Sequence, residues 1–239
     1  MADQHLIIDW TQLPTYNTIM ALLVGVSLIS LAKIGRELVY HKMPNPKGWA
    51  INFGVLGIIL FLTGLHMTLT WPMAKYFPFD NIIFGETTLA FGTLDLALAF
   101  YFWKNSAEIL TAKEPLKLIS VHFKPLNILF YALALMLTSI FFAGVQFQFF
   151  AAPKEEPISG NFADLPWLEA WGLSLVFLGI GICGALTSRF FNQASKSEYK
   201  VSFLDQLCYI GLMITGWFML LFGALNYYTH IGLILNTMK

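Results

Sequence analysis

The sequence predicts an all-α integral membrane protein, a bundle of about six transmembrane helices with the N-terminus and C-terminus both outside. Three observations carry this expectation. Of 239 residues, 57% are hydrophobic and 12% charged, against roughly 45–50% apolar and about 25% charged in an average soluble domain. Six stretches stay apolar over the ~20 residues needed to cross a hydrocarbon core of about 30 Å, and lipid admits them only as helices because it offers free backbone groups no partner. Basic residues, finally, alternate from loop to loop.

The predicted spans run from about 17 to 38, 49 to 71, 82 to 103, 126 to 150, 167 to 191 and 204 to 226, and they form one domain over residues 1–239. The leading segment MADQHLIIDWTQLPTYNT holds Asp3 and Asp9 but no Lys or Arg, whereas a secretory signal begins with a basic region; the first apolar stretch is therefore read as a retained span. Trp49, Trp71, Trp103 and Trp167 fall at predicted span ends, where the amphipathic indole favours the headgroup layer. Pro72 follows the second span, and Pro125 and Pro166 precede the fourth and fifth, positions where a helix stops or begins.

The first, third and fifth loops with their margins carry Lys33, Arg36, Lys42, Lys47, Lys104, Lys113, Lys117, Lys124, Arg189, Lys196 and Lys200. The other face has Lys75, Lys154 and Lys239. Short cytoplasmic loops retain basic residues during insertion, so the first set marks the cytoplasmic side. The third loop mixes apolar residues with lysines and is read either as a short helix on the inner surface or as a solvated linker. Formal net charge is zero, which leaves no global basic field for nucleic acid. Cys183 and Cys208 lie in apolar segments without CxxC spacing and read as core residues. No fixed-period repeat or low-complexity tract interrupts the bundle.

Chemistry-bearing residues gather toward the outer end. His66 stands five residues before Trp71, about 7 Å along the helix, and Glu86 follows shortly after the third span begins. A short outer loop joins these spans, so a His66–Glu86 pair is sterically plausible, either as a structural hydrogen bond or as a metal, proton or cofactor site. Gln146, Gln148, Glu169, Asn226, Tyr228 and His230 lie toward the same end. His66 and His230 could be axial ligands of a haem, and His66, Glu86, Glu169 and His230 could hold a transition metal; the spacing is diagnostic of neither, and His230 reads more readily as an interfacial residue. Asp95, deepest in its span, is read as proton-handling or as an acid bonded to a neighbouring helix. Asp205 reads as the cap of the sixth helix.

Gly179, Gly181 and Gly184 make a GxGxxG string, but inside a membrane span with no preceding strand it is no dinucleotide fingerprint. Gly181 with Ala185, and Gly57 with Gly64, read as surfaces for close helix packing, within the bundle or toward a partner chain or second copy. The outer loops, with Asp80, Glu155, Glu156 and Gly160, read as ordered turns around the site.

The segments GLHMTLTWPM, FDNIIFGE and AAPKEEPISGNFADLPWLEA together resemble a prokaryotic multi-pass membrane family known as a domain of unknown function, family 981. The resemblance covers nearly the whole chain and matches His66, Trp71, Pro72, Glu86, Glu155, Glu156, Gly160 and Glu169 to the family's segments. It implies a bacterial or archaeal cell-membrane protein and no particular activity. The expectation is thus a polar outer-face site, able to hold a metal or haem as in a redox subunit, with a structural subunit or a small transporter as the alternatives.

Overall fold

A computed structural model describes residues 6–40, 45–196 and 198–238. Asp3, Lys42 and Lys239 of the charge pattern lie outside the described residues. Those residues form eight α-helices and no strand: α1 (Asn17–Tyr40), α2 (Pro46–Thr70), α3 (Thr87–Lys104), α4 (Ser106–Thr111), α5 (Pro115–Phe123), α6 (Asn127–Phe147), α7 (Pro166–Ala194) and α8 (Phe203–Thr237). Six helical segments are long and apolar enough to cross a membrane, α3 being counted with the π-turn before it and α6 with α5.

Local chemistry sets the ends. Asn45 accepts the Gly48 N–H at 2.9 Å and Pro46 opens the first turn of α2, a proline position that forfeits no helical hydrogen bond. Trp71 ends that helix in the left-handed region, its N–H returning to the Met67 carbonyl, and Pro72 prevents continuation. A single π-turn, Asn81–Glu86, leads into α3. Its buried Asn81 accepts the Met73 N–H at 3.1 Å and donates to the Pro78 carbonyl at 3.0 Å, tying the connecting turn together. Ser202 and Asp205 form a reciprocal capping box at the start of α8. The third loop is helical: α4 and α5 lie at the end bearing the basic loops, where Ile109 and Ile119 join a cluster with Ile34, Leu38, Phe53 and Phe102.

Three antiparallel pairs build the bundle, each drawn close by glycine. Without a strong apolar driving force between helices in lipid, small residues gain dispersion by letting backbones approach. In α2 and α3, a Cβ placed on Gly64 would lie 2.4 Å from the Leu89 nitrogen, and one on Gly92 would lie 2.4 Å from the Phe61 nitrogen. In α1 and α8, a Cβ on Gly25 would lie 2.2 Å from the Leu220 nitrogen. Gly181 meets Ala134 and Leu137 where α7 crosses α6. The Gly57, Gly64 and Gly181 surfaces are therefore used within the bundle, the first of the two readings the sequence allowed.

The last helix also runs farther than its apolar pattern. It has 35 residues, about 52 Å at 1.5 Å per residue, and continues to Thr237 where the hydropathy reading stops at 226. Asn226, Thr229, Leu233 and Thr237 are buried at spacings of three and four, one face of the helix. That face is held by the chain's own start: the Ile8 N–H donates to the Thr237 carbonyl, and the Trp10 indole donates to the Thr237 hydroxyl at 3.0 Å.

Candidate functional site

At the end opposite the basic loops, a pocket of about 100 Å³ opens between α1, the π-turn, the 151–165 loop and α8. Its polar lining is Asn17, Glu156, Ser159, Asn226 and His230, with Phe84 among the apolar walls. The loop is tightly determined. Gly160 donates its N–H to the Glu156 carbonyl at 2.8 Å, and a Cβ there would sit 2.4 Å from the Lys154 carbonyl oxygen, so glycine is required by close approach. Ile158 has φ 68° and ψ −66°, and the Ser159 N–H closes on the Pro157 carbonyl at 2.8 Å: a γ-turn of the rare, strained hand. A β-branched residue with positive φ costs about 1–3 kcal/mol and persists only when its surroundings enforce it.

Those surroundings are visible. Glu155 accepts the Leu6 N–H at 2.9 Å, Asn236 donates to the Glu155 carbonyl at 2.8 Å, and Lys154 pairs with Asp164 at 3.6 Å. Glu169, in the first turn of α7 where the helix dipole favours an acid, accepts the Ala152 N–H at 2.7 Å and so holds a pocket-lining residue. The Glu156 carboxyl is pushed up from its ordinary range, chiefly by burial; the Thr229 hydroxyl opposes this and the Glu169 carboxylate adds to it. His230 Nε2 stands 4.0 Å from Glu156 Oε1. His230 Nδ1 and Asn17 Oδ1 are buried without a hydrogen-bond partner. Asn226 is only 8% exposed and lines the same pocket. Buried polar atoms are rarely left unmet, so Asn17 Oδ1 and His230 Nδ1 are groups able to take a further hydrogen-bond or ligand partner.

The remaining expected residues are dispersed. His66 is exposed and shares a hydrogen bond of 2.9 Å with the Tyr16 hydroxyl. Glu86 is exposed, and among the described residues no hydrogen bond or ion pair joins it to His66. Its neighbour Gly85 is buried against Met67 of α2. Among the described residues no three His, Cys, Asp or Glu side chains come together to hold a metal ion. His66, Glu86, Glu169 and His230 are thus not one ligand set, and the pocket beside His230 is far below the roughly 300–1,000 Å³ of sites for larger ligands. Asp95 is 1% exposed and takes the Ser27 hydroxyl at 2.9 and 2.8 Å from its two oxygens, joining α3 to α1. Asp80, in the turn before the π-segment, is pushed up to about 7 by burial.

A family model described as a protein of unknown function (DUF981) matches residues 14–232. The chain belongs to this family. The matched region contains the pocket-lining Asn17, Glu156, Ser159, Asn226 and His230, so the DUF981 match takes in the whole polar lining. No curated protein and no solved structure matches the chain.

Sequence reasoning placed Glu156 in the outer loop and His230 near the last span, but it singled out neither Asn17 nor Ser159 as site residues. Asn17 reads in sequence as an ordinary helix start. The available signal was on α8, where Asn226, Thr229 and His230 follow one another at helical spacing beyond an apolar run.

Proposed function

We propose that this DUF981 protein spans a prokaryotic cell membrane with both termini outside and binds one small monovalent cation in the pocket of Asn17, Glu156, Ser159, Asn226 and His230. The observation that carries the reading is the convergence of a single buried carboxyl with unpartnered amide and imidazole acceptors on about 100 Å³. Hard cations take oxygen ligands, and Asn17, Asn226, Ser159 and Glu156 supply them. One carboxylate balances one positive charge; a divalent ion would leave net charge in a poorly solvated site. Because Glu156 is pushed up, a proton competes with the cation at its oxygens, and affinity falls as pH drops through the raised value.

Thermal unfolding of the purified protein at constant ionic strength tests this. Sodium chloride should raise Tm relative to choline chloride, by the equivalent of about 2.7 kcal/mol at a hundredfold excess over Kd. The increment should be larger at pH 8 than at pH 5, and absent in Glu156→Gln and Asn226→Ala. Equal Tm in the two salts for the parent protein would sink the proposal.

The orientation has its own test. The native Cys183 and Cys208 are buried between α7 and α8 and leave little background for thiol labelling. In sealed cells a cysteine at the exposed Asp164 should react with an impermeant reagent and one at the exposed Lys196 should not. Reaction at Lys196→Cys alone would invert the topology and put the pocket on the cytoplasmic side.

A further inference from the structure

A second, larger cavity of about 710 Å³ occupies the half of the bundle nearer the basic loops. It arises from the way the glycines are spent. They press helices together within each of the three pairs, and the space where α1 and α8, α3, and α6 and α7 face one another is left unfilled. Gly35 lies on its wall, and a Cβ added there would meet nothing within 4 Å. Protein interiors normally close-pack, so a void of this size inside a membrane is a place for hydrocarbon.

Its lining is graded. The deep end is walled by Phe91, Leu94, Leu137 and Ile180, and the Asp95 carboxylate on that wall is engaged by Ser27. Polar residues collect at the other end, at Arg36, Tyr199, Asp205 and Tyr209. Along α1 the lining runs from Leu28 to Tyr40, twelve steps and about 18 Å, the scale of an extended lipid chain. The charge at the rim is one-sided. Asp205 is neutralised by Arg189 at 3.1 Å, whereas Arg36 is exposed and bonds only the neutral Tyr209 hydroxyl at 3.2 Å; among the described residues no carboxylate pairs with it.

We infer that the cavity takes one hydrocarbon chain of an anionic membrane phospholipid, from the leaflet at the basic end, with the headgroup phosphate at Arg36. Guanidinium matches phosphate with two parallel donors, and basic positions at the leaflet boundary select acidic headgroups. The apolar wall supplies affinity for any chain, and Arg36 supplies the choice among headgroups.

Native mass spectrometry of the full chain in mild detergent, with phosphatidylglycerol and phosphatidylcholine of identical chains, tests the inference. The parent protein should retain one phosphatidylglycerol and little phosphatidylcholine. Arg36→Gln should reduce that preference about tenfold or more. Gly35→Leu, which narrows the cavity from a wall position where an added Cβ meets nothing within 4 Å, should weaken retention of both lipids while Tm is maintained; Gly184→Leu, on the opposite wall with its nearest neighbour at 3.7 Å, serves the same purpose if the first variant does not fold. Equal retention of the two lipids by the parent, or unchanged phosphatidylglycerol retention in Arg36→Gln or in the folded filling variant, would overturn the inference. Retention of added oleate with exclusion of phosphatidylglycerol would overturn the choice of a phospholipid.

Discussion

Replacing Gly92 by valine should leave little or no folded, monodisperse protein. The first added carbon would lie 2.4 Å from the Phe61 nitrogen and 2.8 Å from the Leu60 carbonyl carbon, and neither belongs to a side chain that can turn away. The only relief is to part α2 from α3, which also separates Gly64 from Leu89 and Gly57 from Leu96. Overpacking in a well-filled core typically costs about 1–3 kcal/mol. Here the whole pairing of two helices is at stake, so the loss should exceed that range. Gly172→Ala is the control, since a Cβ on that exposed residue of α7 meets nothing within 4 Å and alanine favours helix by about 1 kcal/mol. Size-exclusion profiles and thermal unfolding decide the matter. A monodisperse Gly92→Val protein melting within a few degrees of the parent would show that α2 and α3 do not cross as described.

The second large effect is expected at Asp205. This carboxylate is 5% exposed and accepts from Arg189 at 3.1 Å, the Tyr199 hydroxyl at 3.1 Å, and the Ser202 N–H and hydroxyl at 2.8 Å each. Burial and the neighbouring Asp205 charge in turn push the Tyr199 phenol up from its ordinary value. Asp205→Ala removes the reciprocal half of the α8 capping box, leaving Ser202 as the N-cap, and strands the Arg189 guanidinium, which is 29% exposed; breaking a buried pair in this way costs about 3–5 kcal/mol. At roughly 2–4 °C per kcal/mol, Tm should fall by on the order of 10 °C. Asp205→Asn keeps a capping oxygen and should lose distinctly less. If the two variants melt together, the cap contributes nothing beyond the charge; if neither shifts Tm, the network does not stabilise the α7–α8 connection.

These two positions differ in how far the sequence alone reveals them. Asp205 is legible as a capping residue because capping is local, but the N-cap itself is Ser202, and Asp205 returns the bond from three residues on. Gly57 and Gly64 are legible as a packing stripe, but their partners are not, because spacing along one helix says nothing about which helix lies opposite. Gly25 and Gly223 were not distinguished from the remaining glycines at all, although they bring the first and last spans together.

The pocket follows the same division. Glu156, Gly160 and Glu169 stand out in the sequence because acids and a glycine clustered between two apolar spans break sharply with the hydrocarbon-compatible residues on either side. The pairing of His66 with Glu86 rested on the adjacency of the two spans and on similar depth. Depth leaves the azimuth of each side chain open, and the segment before α1 supplies Tyr16 as the partner His66 takes.

By itself the sequence determined what every residue needs from its immediate surroundings: helix over each apolar run, because lipid satisfies no free backbone group, and helix starts and breaks where Pro72, Pro166 and Asp205 stand. Only the tertiary structure decided which faces meet. It paired α1 with α8, carried α8 to Thr237 because the N-terminal segment holds its polar face, and gathered Asn17, Glu156, Asn226 and His230 on one small pocket. Contacts between residues more than two hundred positions apart are set by long-range packing, which no local pattern records.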